Sequence, residues 1–271
     1  MISLDYKEVS IVLKDFIKTY VKNSGLKGVV IGLSGGIDSA VTAVLCKDVF
    51  KKENLRCVFL PDNATPLLDR KHVDLLVDKF NFKCKKIEIS NLIEETRKCC
   101  VIKPDNTALG NIKARVRMNI LYEYANVKKS IICGTSNKSE ILVGYFTKYG
   151  DGGVDIMPIG DLYKTQVYEL ARYLKIPDEI INKAPTAGLI KGQTDEKELK
   201  MSYQKIDIIL QGLENKLDFK TISKNANVKE SEVERIRNLR IKSQHKRRLP
   251  MIPKIGSRTP GYDWRVPTQI G

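Results

Sequence analysis

A β-branched run, GVVIGL (28–33), leads straight into two adjacent glycines, and Ala40, Val41, Val44 and Leu45 just beyond are spaced as one face of a helix. A strand, a tight glycine turn and a helix satisfy that order. The alternation then repeats. RCVFLP (56–61) reads as a strand, and residues 66–80 read as a helix opened by Pro66. KCKKIEIS (83–90) reads as a further strand, 111–126 as a helix and KSIICGTS (129–136) as a fourth strand. An amphipathic helix over 6–21, with Val9, Leu13, Phe16, Ile17 and Tyr20 on one face, precedes them all. Strands that alternate with helices imply right-handed crossovers and an α/β fold with a doubly wound, Rossmann-like parallel sheet. Ligands in such sheets sit at the carboxyl ends of the strands. SGGIDS and GTSNKSE each start at such an end, so both should border one cleft.

From about residue 178 the strand signal stops and helical spacing takes over, with a loop at PTAGLIKGQTDE (185–196). The last stretch, RLPMIPKIGSRTPGYDWRVP (248–267), is rich in proline, glycine and arginine and reads as an irregular tail. The expectation is one domain over 1–271, an α/β core at 1–177 with a helical C-terminal extension at 178–271.

Lysine and arginine number 47 against 32 acids, a net charge of +15. A field of that sign favours phosphate-bearing partners, whether nucleic acid or nucleotide. No apolar run reaches the ~18 residues of a membrane span, and MISLDYKEVSIVLKDF mixes charges through its apolar positions, unlike a secretory signal. Cys46, Cys57, Cys84, Cys99, Cys100 and Cys133 form no C-x-x-C pair and no zinc spacing. Reduced thiols, most of them buried, in a cytoplasmic protein are expected.

The glycine loop suits an anion. Gly35 and Gly36 let backbone N–H groups face a phosphate, Ser34 and Ser39 add hydroxyl donors, and the helix N-terminus adds its dipole. No lysine stands in the loop, unlike G-x-x-x-x-G-K-[ST]. Asp38 would repel phosphate unless it holds Mg²⁺, which takes one or two carboxylates plus phosphate oxygens. The plainer alternative is a turn in which Asp38 or Ser39 caps the helix. Glu140 follows the fourth strand by a few residues, so its carboxylate could meet Asp38 across neighbouring strand ends. Thr135 offers a hydroxyl there, Lys148 and Lys164 offer point charges, and Arg115 offers a fork for carboxylate or phosphate. YGDGG (149–153) has the freedom of a lid or of a close-approach segment.

S-G-G-x-D-S after a strand resembles the pyrophosphate loop of the N-type ATP pyrophosphatases, with their adenine nucleotide alpha-hydrolase-like fold. GTSNKSEILVGYFTKYGDGGVDIMPIGDLYKTQVYELARYLKIP (134–177) is far more specific and resembles the signature of the NAD⁺ synthetase family. KARVRM (113–118), PTAGLIKGQTDE (185–196) and QHKRR (244–248) extend the match in order.

The resemblance implies ATP-dependent amidation of deamido-NAD⁺. The nicotinate carboxylate is adenylated with loss of pyrophosphate, and ammonia then displaces AMP. By resemblance, Gly32, Leu33, Ser34, Gly35, Gly36, Ile37, Asp38 and Ser39 bind ATP, joined by Thr135, Lys164 and Thr186. Asp38 and Lys164 act in catalysis, and Asp38 with Glu140 holds Mg²⁺. Arg115, Lys148, Asp155, His245 and Lys246 contact deamido-NAD⁺. The family implies a homodimer with sites that draw on the subunit interface, and no nucleic-acid or membrane partner. The signature starts behind a single helix, so free ammonia is the expected donor rather than a fused glutaminase. Where bacterial members commonly read G-T-D-H-A-A-E this chain reads GTSNKSE, so the role of that aspartate–histidine pair does not carry over. The competing reading is a tRNA-modifying adenylase with the same loop, against which stand the absence of C-x-x-C and the presence of KYGDGG.

Overall fold

The computed structural model describes residues 4–186, 188 and 194–264. Its first half runs α1 (Tyr6–Asn23), β1 (Gly28–Leu33), α2 (Ile37–Lys47), β2 (Leu55–Phe59), α3 (Leu67–Phe80) and β3 (Cys84–Lys86). Then follow α4 (Ser90–Lys98), α5 (Asn106–Val127), β4 (Ser130–Ile132), α6 (Lys138–Val143) and α7 (Lys164–Tyr173). The extension holds α8 (Asp178–Ile181), α9 (Asp195–Leu199), α10 (Tyr203–Glu214), α11 (Phe219–Ala226), α12 (Glu230–Lys242) and a 3₁₀ turn (Ser243–Lys246).

The strands lie in the order β3-β2-β1-β4, all parallel. Alternation along β1 sorts its side chains between two layers. Val29, Ile31 and Leu33 pack with Ile17 of α1, Val41 and Leu45 of α2 and Val167 and Leu170 of α7. Val30 points the other way, with Val58, Ile93 of α4 and Val116 of α5. Both faces are therefore covered, as expected of a doubly wound sheet. A third apolar cluster joins Val143 and Tyr163 to Ile206, Ile209, Ile222, Val233 and Ile236, so the extension packs on α6 and on the entrance to α7.

Three boundaries differ from the sequence reading by more than two residues. The helix expected from 111 starts at Asn106, because the Asp105 side chain accepts from Ala108 N at 2.7 Å and caps it earlier. The strand expected over 83–90 is regular only for Cys84–Lys86, although Ile87 and Ile89 still donate to the carbonyls of Phe59 and Pro61. Ser90 then opens α4, a helix the alternation did not announce. The strand expected over 129–136 is regular for Ser130–Ile132, and Cys133 pairs with Ile156 in an isolated parallel bridge.

Cys46, Cys57 and Cys133 are buried, whereas Cys99 is exposed. No helix among the described residues is long and apolar enough to cross a membrane. Half of the loop expected at 185–196 and the end of the 248–267 tail lie outside the described residues; the described part of that tail is irregular.

Candidate active site

Strands β1 and β4 are neighbours, so the segments that leave them face each other over the sheet's carboxyl edge. Gly32 and Leu33 end β1, and Ile37, Asp38 and Ser39 form the first turn of α2. Gly35 has φ +76°, and a Cβ there would meet the Asp69 carbonyl oxygen at 2.5 Å, so only glycine fits. The loop is tied by its own hydroxyls. Ser39 Oγ lies 3.1 Å from Ser34 Oγ, Ser34 N donates to Ser39 Oγ at 3.2 Å, and Gly36 N donates to Ser34 Oγ at 3.2 Å. The N-cap of α2 is Gly36, with no side-chain cap. Its first N–H groups are thus left to solvent or a bound anion, and neither Asp38 nor Ser39 serves as the cap.

Asp38 turns instead toward a buried ammonium. Lys164, the first residue of α7, places Nζ 2.5 Å from Asp38 Oδ2 and 3.0 Å from Glu140 Oε1. The lysine side chain is 2% exposed, and the two carboxylate side chains 17% and 15%. A cation at a helix N-terminus opposes the helix dipole, so it is the carboxylates that hold Lys164 there. Burial disfavours its charge, but Asp38 and Glu140 outweigh that and raise its pKa. Burial pushes the Glu140 carboxyl up to about 8; Lys164 opposes the rise, and Asp38 and Asp195 add to it. Asp195 is itself pushed up by burial, with Lys164 pulling the other way, and it accepts from Tyr203 Oη at 3.2 Å.

The sequence reading missed Asn137. Its Nδ2 donates to Asp38 Oδ1 at 2.9 Å, and its Oδ1 accepts from Glu140 N at 3.0 Å in a capping box that opens α6. An Asn three residues before a Glu was the available signal. Asn137 stands where the commoner pattern has histidine, and here it braces the two acids against each other. Also unforeseen were Arg117, Asp195 and Glu198 in the cleft wall, and the ion pair of Lys183 with Asp69 beside Gly35.

These groups line a cleft of about 430 Å³. Gly32, Leu33, Ser34, Gly36, Ile37, Asp38 and Ser39 border it, as do Thr135, Glu140, Lys164, Thr186 and Lys246. Val58, Leu60, Met118 and Leu121 add apolar surface to its lining. Lys246 Nζ donates to the carbonyls of Gly144 and Phe146 at 2.7 and 2.8 Å. YGDGG is a close-approach segment: a Cβ on Gly150 would lie 2.8 Å from Ala114 Cβ of α5.

Five expected residues stand off the cleft wall, Gly35 within the loop and four others. Arg115 is exposed on α5 and donates to the Lys148 carbonyl at 3.3 Å through Nη2, while Lys148 Nζ lies 5.1 Å over the Tyr149 ring. Asp155 accepts from Ile132 N at 2.6 Å and Tyr122 Oη at 3.2 Å. His245 is exposed on the 3₁₀ turn.

The family model for NAD synthase matches residues 9–250. The chain belongs to the NAD synthase family. It is 46% identical to the NH(3)-dependent NAD(+) synthetase of Thermoplasma volcanium over 221 residues, 82% of this chain and 88% of that one. Its fold is similar to the NMN synthetase of Francisella tularensis, with a TM-score of 0.84, 36% identity, and 93% of this chain and all of that one covered. It is also similar to the NH3-dependent NAD synthetase of Campylobacter jejuni, with a TM-score of 0.79, 34% identity and the same coverage. With the family shown, the tRNA-modifying alternative falls away.

Proposed function

We propose that the chain amidates deamido-NAD⁺ with ammonia at the expense of ATP, and that Lys164, held between Asp38 and Glu140, is the centre of the site. That triad around a buried lysine, with Asp38 in the first turn of the uncapped helix α2, is the observation that carries the reading. The triphosphate would lie against Ser34–Ser39 with its base toward Val58 and Leu121. The nicotinate carboxylate oxygen attacks the α-phosphorus as the bond to pyrophosphate breaks. Ammonia then attacks the acyl carbon, the bond to AMP breaks and the new nitrogen loses a proton. Neither step needs an enzyme nucleophile, so the protein works by positioning two anions and stabilising phosphoryl charge.

Asp38 and Glu140 fit Mg²⁺ by donor chemistry: both are hard-oxygen ligands, and both already reach a single cation, the ammonium of Lys164. Held by these carboxylates alongside Lys164, Mg²⁺ would neutralise triphosphate charge. Arg115, Lys148, Asp155 and His245 do not line the cleft. Their contact with deamido-NAD⁺ fits a homodimer in which a second copy completes the site. Lys246, in the wall, serves that substrate from within the chain. The reduced cysteines suit a cytoplasmic setting.

The test is to incubate the protein with ATP, Mg²⁺, deamido-NAD⁺ and an ammonium salt and to follow NAD⁺ and AMP. One NAD⁺ and one AMP per turnover is expected; no NAD⁺ at any ammonium concentration refutes the proposal. Because one similar structure is an NMN synthetase, nicotinate mononucleotide belongs in a parallel reaction, where faster turnover would reassign the substrate.

A further inference from the structure

Lys164 is fixed from behind as well as in front. Asp207 lies on α10, in the helical extension, and is 0% exposed. Its Oδ2 accepts from Thr165 N at 2.9 Å and from Thr165 Oγ1 at 2.8 Å, and its Oδ1 accepts from Ser139 Oγ. Ser139 Oγ in turn accepts from Lys164 N at 2.9 Å. Ser139 precedes Glu140 in the first turn of α6, and Thr165 follows Lys164 in the first turn of α7. A single carboxylate thus joins the openings of the two helices that carry the site's lysine and one of its acids. One turn earlier on α10, the Tyr203 ring lies 5.2 Å under Lys164 Nζ. The ammonium and the backbone of Lys164 are therefore both seated on the same helix.

We propose that Asp207 is a positioning residue for catalysis: through Ser139 and Thr165 it sets the register of α6 against α7, and so the distance between Lys164 and Glu140. This rests on the roles given to Lys164 and Glu140 above. Ser139 Oγ, Thr165 N and Thr165 Oγ1 all donate to Asp207, as suits an acceptor-only carboxylate. Asparagine has the same shape but turns an N–H₂ toward Ser139 or Thr165, leaving a buried donor without an acceptor. The first turn that shifts in response is the one carrying Lys164 or Glu140.

The test compares Asp207→Asn, Ser139→Ala and Lys164→Ala with Ile236→Val. Ile236 lies in the core of the same helical layer and has no polar side-chain atom to link it to the network. Melting temperature, kcat and the KM for ATP are measured for each. A displacement of about 1 Å at a reacting centre can lower the rate ~10²-fold. Asp207→Asn and Ser139→Ala are therefore expected to lose about 10- to 100-fold in kcat with KM for ATP little changed. Ile236→Val should melt earlier yet keep kcat. A purely structural role predicts the opposite split: Asp207→Asn and Ser139→Ala would melt early with wild-type kcat below their transitions, which overturns the proposal. If Asp207→Asn does not fold, Ser139→Ala decides the matter alone, by loss or retention of kcat. An active Lys164→Ala would overturn the site assignment, and the positioning role with it. An inactive Lys164→Ala beside fully active Asp207→Asn and Ser139→Ala overturns the positioning role only.

Discussion

Replacing Asp38 with asparagine separates charge from shape at the centre of the site. The aspartate serves two donors with two oxygens, Oδ2 for Lys164 Nζ at 2.5 Å and Oδ1 for Asn137 Nδ2 at 2.9 Å. The amide has one oxygen, so one of those donors must face an N–H₂ group. An unsatisfied buried donor costs about 1–3 kcal/mol. The larger cost of about 3–5 kcal/mol for orphaning a buried charge does not apply, because Lys164 keeps Glu140 at 3.0 Å. At about 2–4 °C per kcal/mol for large domains, the melting temperature should fall by roughly 2–12 °C. Turnover should fall much further, by about 10²–10³-fold, the scale seen when one preorganised charge-stabilising contact is removed. Differential scanning fluorimetry gives the first number, and NAD⁺ formation well below the melting transition gives the second. A folded Asp38→Asn protein with turnover within about tenfold of wild type, less than 1.4 kcal/mol of barrier, would refute the reasoning.

Gly35→Ala places a Cβ in a left-handed turn against the Asp69 carbonyl. It should cost about 1–3 kcal/mol and raise the KM for ATP, while Gly36→Ala, at φ −95°, should be milder; melting curves and ATP titrations check both. Burial alone would raise the Asp62 carboxyl, but its bond to Lys113 and the charges of Arg117 and Lys113 set it below the usual range. With the folded value below the unfolded one, its stabilisation is present above about pH 4 and lost as the pH falls through the folded value. Asp62→Asn should therefore flatten the acid limb of a plot of melting temperature against pH. Cys99 is exposed, whereas Cys46 and Cys133 are buried with their sulfurs 3.8 Å apart and burial pushes the Cys46 thiol up. Peptide mapping after brief alkylation should find Cys99 modified first and Cys46 only on unfolding.

The sheet and its helices were legible because Val29, Val30 and Ile31 are apolar on both faces, which is how a strand covered on both sides reads. Helix α4 was not, since its short polar sequence follows a segment whose Ile87 and Ile89 keep bonding to β2 after regular strand geometry ends. Asp38 and Glu140 were legible as a pair that could meet, and their approach follows from the adjacency of β1 and β4; Lys164 was read as a charge for phosphate, and only the placement of α7 shows it between the two acids. Asn137 was hidden by its identity: asparagine before a helix reads as a cap, which it is, and nothing local reveals that its other end reaches Asp38. Asp207 sits in the run IDIIL, where only the three-dimensional position of α10 shows why an acid is buried.

Helix α2 begins at Gly36 without a side chain to close it. A serine or aspartate at that position would typically add only a few tenths of a kcal/mol to the free protein, and would occupy the donors a phosphate needs. The chain thus leaves part of its own folding to be completed by its substrate. Nucleotide at a hundred times its dissociation constant contributes about 2.7 kcal/mol to stability, enough to thin the population of globally opened molecules roughly a hundredfold. In a cell the lifetime of this protein against proteases would then follow the ATP supply, falling when energy is short and recovering when it returns.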